Sequence, residues 1–218
     1  MAVSIGVPDK WGLSGVGASG GVLGGVDSSH RPAPGAPCPF AVCLDLDPLS
    51  AAALAPLIDA VERADPEART PRRAQVTPHL SLAVYDRLDP TAATVALRGF
   101  AKRRRAPEIQ LASLGVFPGP PSVLFAAPVV TAELLALHRD YHQTSWASGP
   151  RCWAHYLPGS WVPHVTLGEG IRPLAVQTVM LDAIAAWRPR PAVLHRLSLV
   201  RFHPVELLWS AALQPAEP

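Results

Sequence analysis

The chain has 218 residues, 49% hydrophobic and 17% charged, the profile of an ordinary globular chain long enough for one domain or two small lobes around a core. Lys and Arg number 19 against 17 Asp and Glu, a formal charge of +2; this excludes a strongly basic nucleic-acid coat and an acidic tail protein, and leaves room for a local basic groove. Proline is in excess, 25 residues against an average share of about 5%, so elements are expected to be short and sharply bounded.

Residues 1–36 stand apart. Gly12, Gly15, Gly17, Gly20, Gly21, Gly24 and Gly25 crowd one window, and Pro32, Pro34 and Pro37 follow. Such a stretch buries too little apolar surface to offset its backbone entropy, so a flexible Gly/Pro-rich tail is expected, with the folded domain spanning 37–218. The tail lacks the basic start and unbroken apolar run of a signal peptide, and its apolar run is too short for a membrane span. Its Gly15–Gly20 segment matches G-x-G-x-x-G, but no strand precedes it, so no dinucleotide site is read there.

Along the domain, Phe40–Leu46 reads as a strand. Ser50–Ala64 has an amphipathic helical period. A second strand lies in HLSLAVY, residues 79–85, and a helix at 91–104 ends in a cationic turn. Ile109–Phe117 and Val123–Val129 flank Pro118-Gly119-Pro120-Pro121, a hairpin signal. Thr131 is a candidate N-cap for a helix running to about Trp146. Residues 149–163 form a loop rich in Trp and Tyr, followed by a strand at 163–168. A helix over Leu174–Trp187 and a hairpin of Val193–Phe202 with Val205–Leu213 end the chain. Recurring hairpins among helices predict a mixed α+β fold with antiparallel sheets.

Two segments repeat a pattern. Pro78-His79-Leu80-Ser81-Leu82 and Pro163-His164-Val165-Thr166-Leu167 both read Pro-His-aliphatic-hydroxyl-aliphatic. Residues i and i+2 of a strand share a face. His79 therefore sits beside Ser81 and His164 beside Thr166, with Leu80, Leu82, Val165 and Leu167 turned into a core behind. Facing each other across a groove, two imidazoles and two hydroxyls suit in-line displacement at phosphorus. One neutral His takes a proton from the attacking oxygen, one protonated His gives a proton to the leaving oxygen, and the hydroxyls hold the non-bridging oxygens. That scheme needs no metal and no cofactor.

This doubled motif, embedded as TPHLSLAVY and WVPHVTLGEG, resembles the 2H phosphoesterase superfamily, and within it the bacterial 2′-5′ RNA ligase-like proteins. The stretch LASLGVFPGPPSVLFAAP and the following helix with Leu137-His138 also resemble that group. The resemblance covers about residues 38–213 and implies a two-lobed, pseudo-symmetric fold, two antiparallel sheets around a central groove with helices outside. It implies metal-independent cleavage of 2′,3′-cyclic phosphates, or formation and cleavage of 2′-5′ linkages in RNA; relatives act on cyclic phosphates of ADP-ribose or bind nucleotides. Carried over by motif, His79 and His164 are the general acid/base pair and Ser81 and Thr166 the phosphate-binding hydroxyls. Ser81 stands where Thr is common and makes the same hydrogen bond.

Other residues carry weaker signals. Tyr85, six positions after His79, shares the groove face if the strand stays regular, and reads equally well as a core or rim tyrosine. Trp153, Tyr156 and Trp161 flank the second motif, either stacking a base or pinning a Pro-rich loop; Tyr156 and Trp161 join Tyr85 as candidate substrate-binding residues. Lys102-Arg103-Arg104-Arg105 either complements a helix C-terminus or steers an RNA backbone, and Arg72, Arg73 and Arg151 are lesser phosphate-contact candidates. His138 and His142 have helical i, i+4 spacing, but no third metal ligand is evident and no metal is assigned. Three sparse cysteines, Cys38, Cys43 and Cys152, make no disulfide framework and point to a reducing cytoplasm. The expected substrates are RNA ends or small cyclic nucleotides, handled by a monomer away from membranes. The rival readings are a nucleotide- or RNA-binding module with little turnover, an ADP-ribose cyclic phosphodiesterase, and a metallohydrolase built on His138 and His142.

Overall fold

A computed structural model describes residues 39–119, 121–144, 151–202 and 205–215. The expected tail, 1–36, and Cys38 lie outside them. The segment 37–218 forms one compact unit.

Strand β1, Phe40–Leu46, opens the domain. Asp47 then caps α1, Pro48–Ala52, its carboxylate accepting from the amides of Leu49 and Ser50 at 2.9 and 3.2 Å. The helix expected over 50–64 is broken: α2 spans Ala55–Ala64. Pro56 has no N–H to offer the Ala52 carbonyl, and its ring crowds the preceding turn. Next come β2, His79–Tyr85, and α3, Pro90–Lys102, capped by Asp89. The hairpin β3, Glu108–Phe117, and β4, Ser122–Pro128, leads into α4, Ala132–His142, where Thr131 Oγ1 accepts from the Leu134 amide at 3.2 Å. That helix ends four residues before Trp146, which lies outside the described residues. A 3-10 turn at Ala154–Tyr156 precedes β5, Val165–Ile171. The chain closes with α5, Pro173–Ala186, and the hairpin of β6, Arg190–Arg201, with β7, Glu206–Ala212.

All strand pairs are antiparallel. The order is β1-β2-β5-β4-β3-β6-β7, and β1 also pairs with β6, so six strands close into a ring with β7 added alongside β6. The two sheets expected from the sequence are thus β7-β6-β1-β2 and β5-β4-β3, joined at two seams. One seam is the four-residue pairing of β3 with β6; the other is a single pair, Leu80 with Val165. Helices cover the outside: α1 packs on β1 and β6, α3 on β6 and β7, and α2 on α5 and β5. Leu44, Leu80, Leu82, Leu124, Leu167, Leu197 and Leu199 are fully buried, each removing apolar surface worth about 1.5–3 kcal/mol. Among the described residues no helix is long and apolar enough to cross a membrane.

Candidate active site

The Leu80–Val165 pair is a local two-fold centre. Carrying its register one residue to either side sets His79 opposite Thr166 and Ser81 opposite His164. Each imidazole therefore faces the other motif's hydroxyl, and the two imidazoles lie on a diagonal. In a regular antiparallel ladder such diagonal positions are about 7–8 Å apart, room for a phosphate between them. Leu80 and Val165, both fully buried, turn away from this face.

The two motifs match in finer detail. His79 Nδ1 lies 2.8 Å from the Thr77 carbonyl and His164 Nδ1 2.7 Å from the Val162 carbonyl. A carbonyl only accepts, so Nδ1–H donates in both. Each motif is followed by a bulge at the same place. Cys43 pairs with Ser81 and Val42 with Ala83, which leaves Leu82 extra; Phe125 pairs with Thr166 and Leu124 with Gly168, which leaves Leu167 extra. A bulge switches which residues face each way. Past the second bulge, Gly168 turns toward α2, where an added Cβ would lie 2.7 Å from Val61 Cγ1.

The first bulge overturns the expectation for Tyr85. It pairs with Phe40, on the side opposite His79, is fully buried, and its hydroxyl meets that of Tyr141 at 2.9 Å. Tyr156 and Trp161 are also withdrawn into the core. The indole of Trp161 stacks flat on His138, ring centroids 3.9 Å apart, and its Nε1–H donates to the Ser81 carbonyl at 3.0 Å. It braces the motif strand and presents no open face for a base. Trp153 donates to Asp86 at 2.8 Å.

The surroundings of the two histidines differ. Behind His79 lies a polar network. Asp45, its register partner on β1, is buried and accepts from Arg196 Nε at 2.8 Å and Ser198 Oγ at 2.9 Å. Arg196 Nη2 reaches Thr77 Oγ1 at 3.3 Å. Cys43 Sγ lies 3.7 Å from Ser81 Oγ and is hydrogen-bonded to the His79 ring. Burial works against the His79 imidazolium, but Cys43, the Thr77 carbonyl and Asp45 outweigh it and lift its pKa to about 9. His164 instead meets Phe117 edge-on at 4.9 Å and Phe125 at 5.4 Å. Gly115, opposite Phe125, makes this possible: a Cβ there would collide with the Phe125 ring.

Sequence reasoning missed Cys43, Asp45, Arg196, Phe117 and Phe125. Cys43 and Asp45 do carry a signal, the i, i+2 spacing that both motifs use; the others reach the site only through strand pairing. The basic run lies elsewhere. Arg104 is ion-paired to Asp140 at 2.8 Å, and Arg103, Arg104 and Arg105 line a hollow of about 510 Å³ with Glu133, Asp140 and Gln214, apart from both motif histidines. Arg72 is paired with Asp59 at 2.5 Å, and Arg73 Nη1 donates to the Pro66 and Ala68 carbonyls. His138 and His142 turn Nε2 toward backbone carbonyls. Among the described residues no group of three or more His, Cys, Asp or Glu is placed to hold a metal ion.

Residues 49–206 match the family model of the 2′-5′ RNA ligase superfamily. Among solved structures, TT0787 of Thermus thermophilus is similar at 19% identity over 82% of this chain and 100% of its own, with a TM-score of 0.50. E. coli LigT complexed with 3′-AMP aligns at 17% identity over 82% of this chain and 99% of its own, TM-score 0.46. Usb1 of Kluyveromyces marxianus aligns at 13% over 80% and 99%, TM-score 0.43. No match is found among curated protein sequences.

Proposed function

Because the chain belongs to the 2′-5′ RNA ligase superfamily, we propose that the shared face of β2 and β5 performs metal-independent chemistry on phosphodiesters. Its substrates are 2′,3′-cyclic phosphate ends of RNA, 2′-5′ linkages or small cyclic nucleotides. The observation that carries this reading is the duplicated geometry: two imidazoles, each tied through Nδ1 to the carbonyl two residues back, each beside a hydroxyl, related by one local two-fold.

In hydrolysis of a cyclic phosphate, water attacks phosphorus in line. One imidazole takes the water proton as the new P–O bond forms; the other protonates the ribose oxygen as its P–O bond breaks. Ser81 and Thr166 hydrogen-bond the non-bridging oxygens while charge redistributes. His79, held charged at neutral pH by its polar neighbours, is the acid, and His164 the base. Phe117, half-buried beside His164, favours a nucleoside on that side. One chain supplies the whole site, which supports action as a monomer, and the sparse cysteines support a cytoplasmic setting.

The test is turnover of an oligonucleotide ending in a 2′,3′-cyclic phosphate, with excess EDTA. Wild type should open the ring, and His79→Ala and His164→Ala should each lower the rate by about 10²–10⁴-fold; the position of the product phosphate identifies the leaving oxygen. Binding without turnover overturns this reading in favour of a nucleotide- or RNA-binding module. Turnover confined to a cyclic phosphate of ADP-ribose moves the substrate class.

A further inference from the structure

Outside the motifs, titratable side chains gather where α4 crosses the bulge in β2. Leu82 is the extra residue there, without a partner in β1. Its carbonyl is approached by His138 Nε2 at 3.1 Å and His142 Nε2 at 3.4 Å, and His138 Nε2 also lies 3.0 Å from the Tyr156 carbonyl. The two Nε2 atoms are 3.2 Å apart. Trp161, stacked on His138, holds the next carbonyl back, that of Ser81. Two successive carbonyls of the catalytic strand are thus gripped by one assembly reaching over from α4.

We infer that His138 and His142 form a neutral two-imidazole clamp that, with Trp161, positions Ser81 and the first half-site for phosphate binding. The inference rests on the proposed phosphoester chemistry for its meaning, though not for its geometry. Carbonyls only accept, so the clamp needs N–H at the contact, and two charged rings at this separation repel. His142 and Tyr141 face the assembly from α4, Tyr85 from β2 and Tyr156 from the 3-10 turn, with the Cys43 and Cys152 thiols near the tyrosines. Burial raises all three phenols, which stay neutral near pH 7. Burial and the nearby His142 lower the His138 pKa to about 4 despite the two carbonyls, and burial lowers that of His142.

The experiment compares wild type, His138→Gln and His138→Ala. Gln keeps an N–H donor and cannot take up a proton. At pH 7, His138→Ala should lower kcat by about 10- to 100-fold, as a misplaced binding group does, and Gln should restore most of it. A folded His138→Ala with unchanged kcat overturns the clamp; should that variant not fold, the partly exposed His142 gives the same comparison as His142→Ala. A second readout needs no substrate. Charged imidazole quenches a stacked indole, so wild-type fluorescence, less that of Trp161→Phe, should drop on acidification with a midpoint near 4. It should stay level in His138→Gln, and the same titration in both overturns the clamp. If wild type turns nothing over, Kd for inorganic phosphate replaces kcat. Weakening by Ala with rescue by Gln then upholds the clamp while the phosphodiesterase reading falls, and equal Kd values overturn it.

Discussion

Cys43 lies opposite Ser81 and two residues from Asp45, so its thiol meets both polar groups of the first motif. Removing it takes away one of the influences that keep the His79 proton. In its proposed role as the acid, His79 works while protonated, so the alkaline limb of kcat/KM should lie at about pH 9 in wild type and move toward 6.5 in Cys43→Ala. Stability follows the same sign. A group whose pKa is raised on folding contributes fully below its unfolded value of about 6.5 and loses that contribution as pH rises through the folded value. Wild-type melting temperature should therefore fall between pH 7 and 9 more than that of Cys43→Ala, and an alkaline limb identical in both proteins contradicts this role for the thiol. At this scale the sequence was readable wherever one strand's own alternation decides a residue's direction: His79, Ser81, His164 and Thr166 share the face that spacing assigns them. Tyr85 was misread because the bulge at Leu82 belongs to the pairing of β1 with β2 and leaves no mark in HLSLAVY itself.

Between elements, Asp65 ties the end of α2 to the start of α5. Its carboxylate is fully buried and accepts from the Arg172 amide at 2.8 Å and Arg172 Nε at 3.1 Å, with Arg172 Nη2 3.0 Å away and the Glu67 amide at 3.2 Å. Burial alone would raise its pKa, but the Arg172 bonds, the Glu67 amide and the Arg172 charge hold it below 3.8. A depressed carboxylate stabilises the fold above its unfolded pKa and stops doing so as pH falls through the folded one. Asp65→Asn should cost about 1–3 kcal/mol at pH 7, and the deficit against wild type should shrink below pH 4. Urea unfolding at pH 7 and pH 3 checks this, and a deficit that is the same at both values tells against the carboxylate. Most elements lie close to where periodicity put them, and the N-cap candidate Thr131 does start its helix; Asp47 and Asp89 cap α1 and α3 in the same way without having been read as caps. The break at Pro56 was there to be read, but the Ala/Leu period of residues 50–64 masked it. Trp161 shows the opposite limit, since it is covered by His138 of the preceding helix α4, a stacking that no spacing in the loop announces.

Across the molecule, β6 is the strand on which closure depends. It pairs with β1 along one edge and with β3 and β7 along the other. A chain stopped after Pro189 retains both motifs but loses β6, β7 and the closure of the ring. It should show no cooperative thermal transition and expose Cys43 to thiol reagents that the folded chain, with Cys43 1% accessible, resists; a cooperative transition with Cys43 still protected contradicts that view of β6. The α+β class was legible from the recurring hairpins among helices, and the arrangement of two antiparallel sheets from the resemblance that the motif pair carries. The single-pair seam and the polar network were not, because Asp45 and Arg196 are 151 positions apart and only strand pairing brings them together. The same separation orders events during synthesis. Both motifs leave the ribosome before Arg196 does, so a nascent chain carries the two imidazoles, Cys43 and Asp45 before the arginine that pairs with Asp45. The first half-site then takes its final shape late, when β6 slots in beside β1.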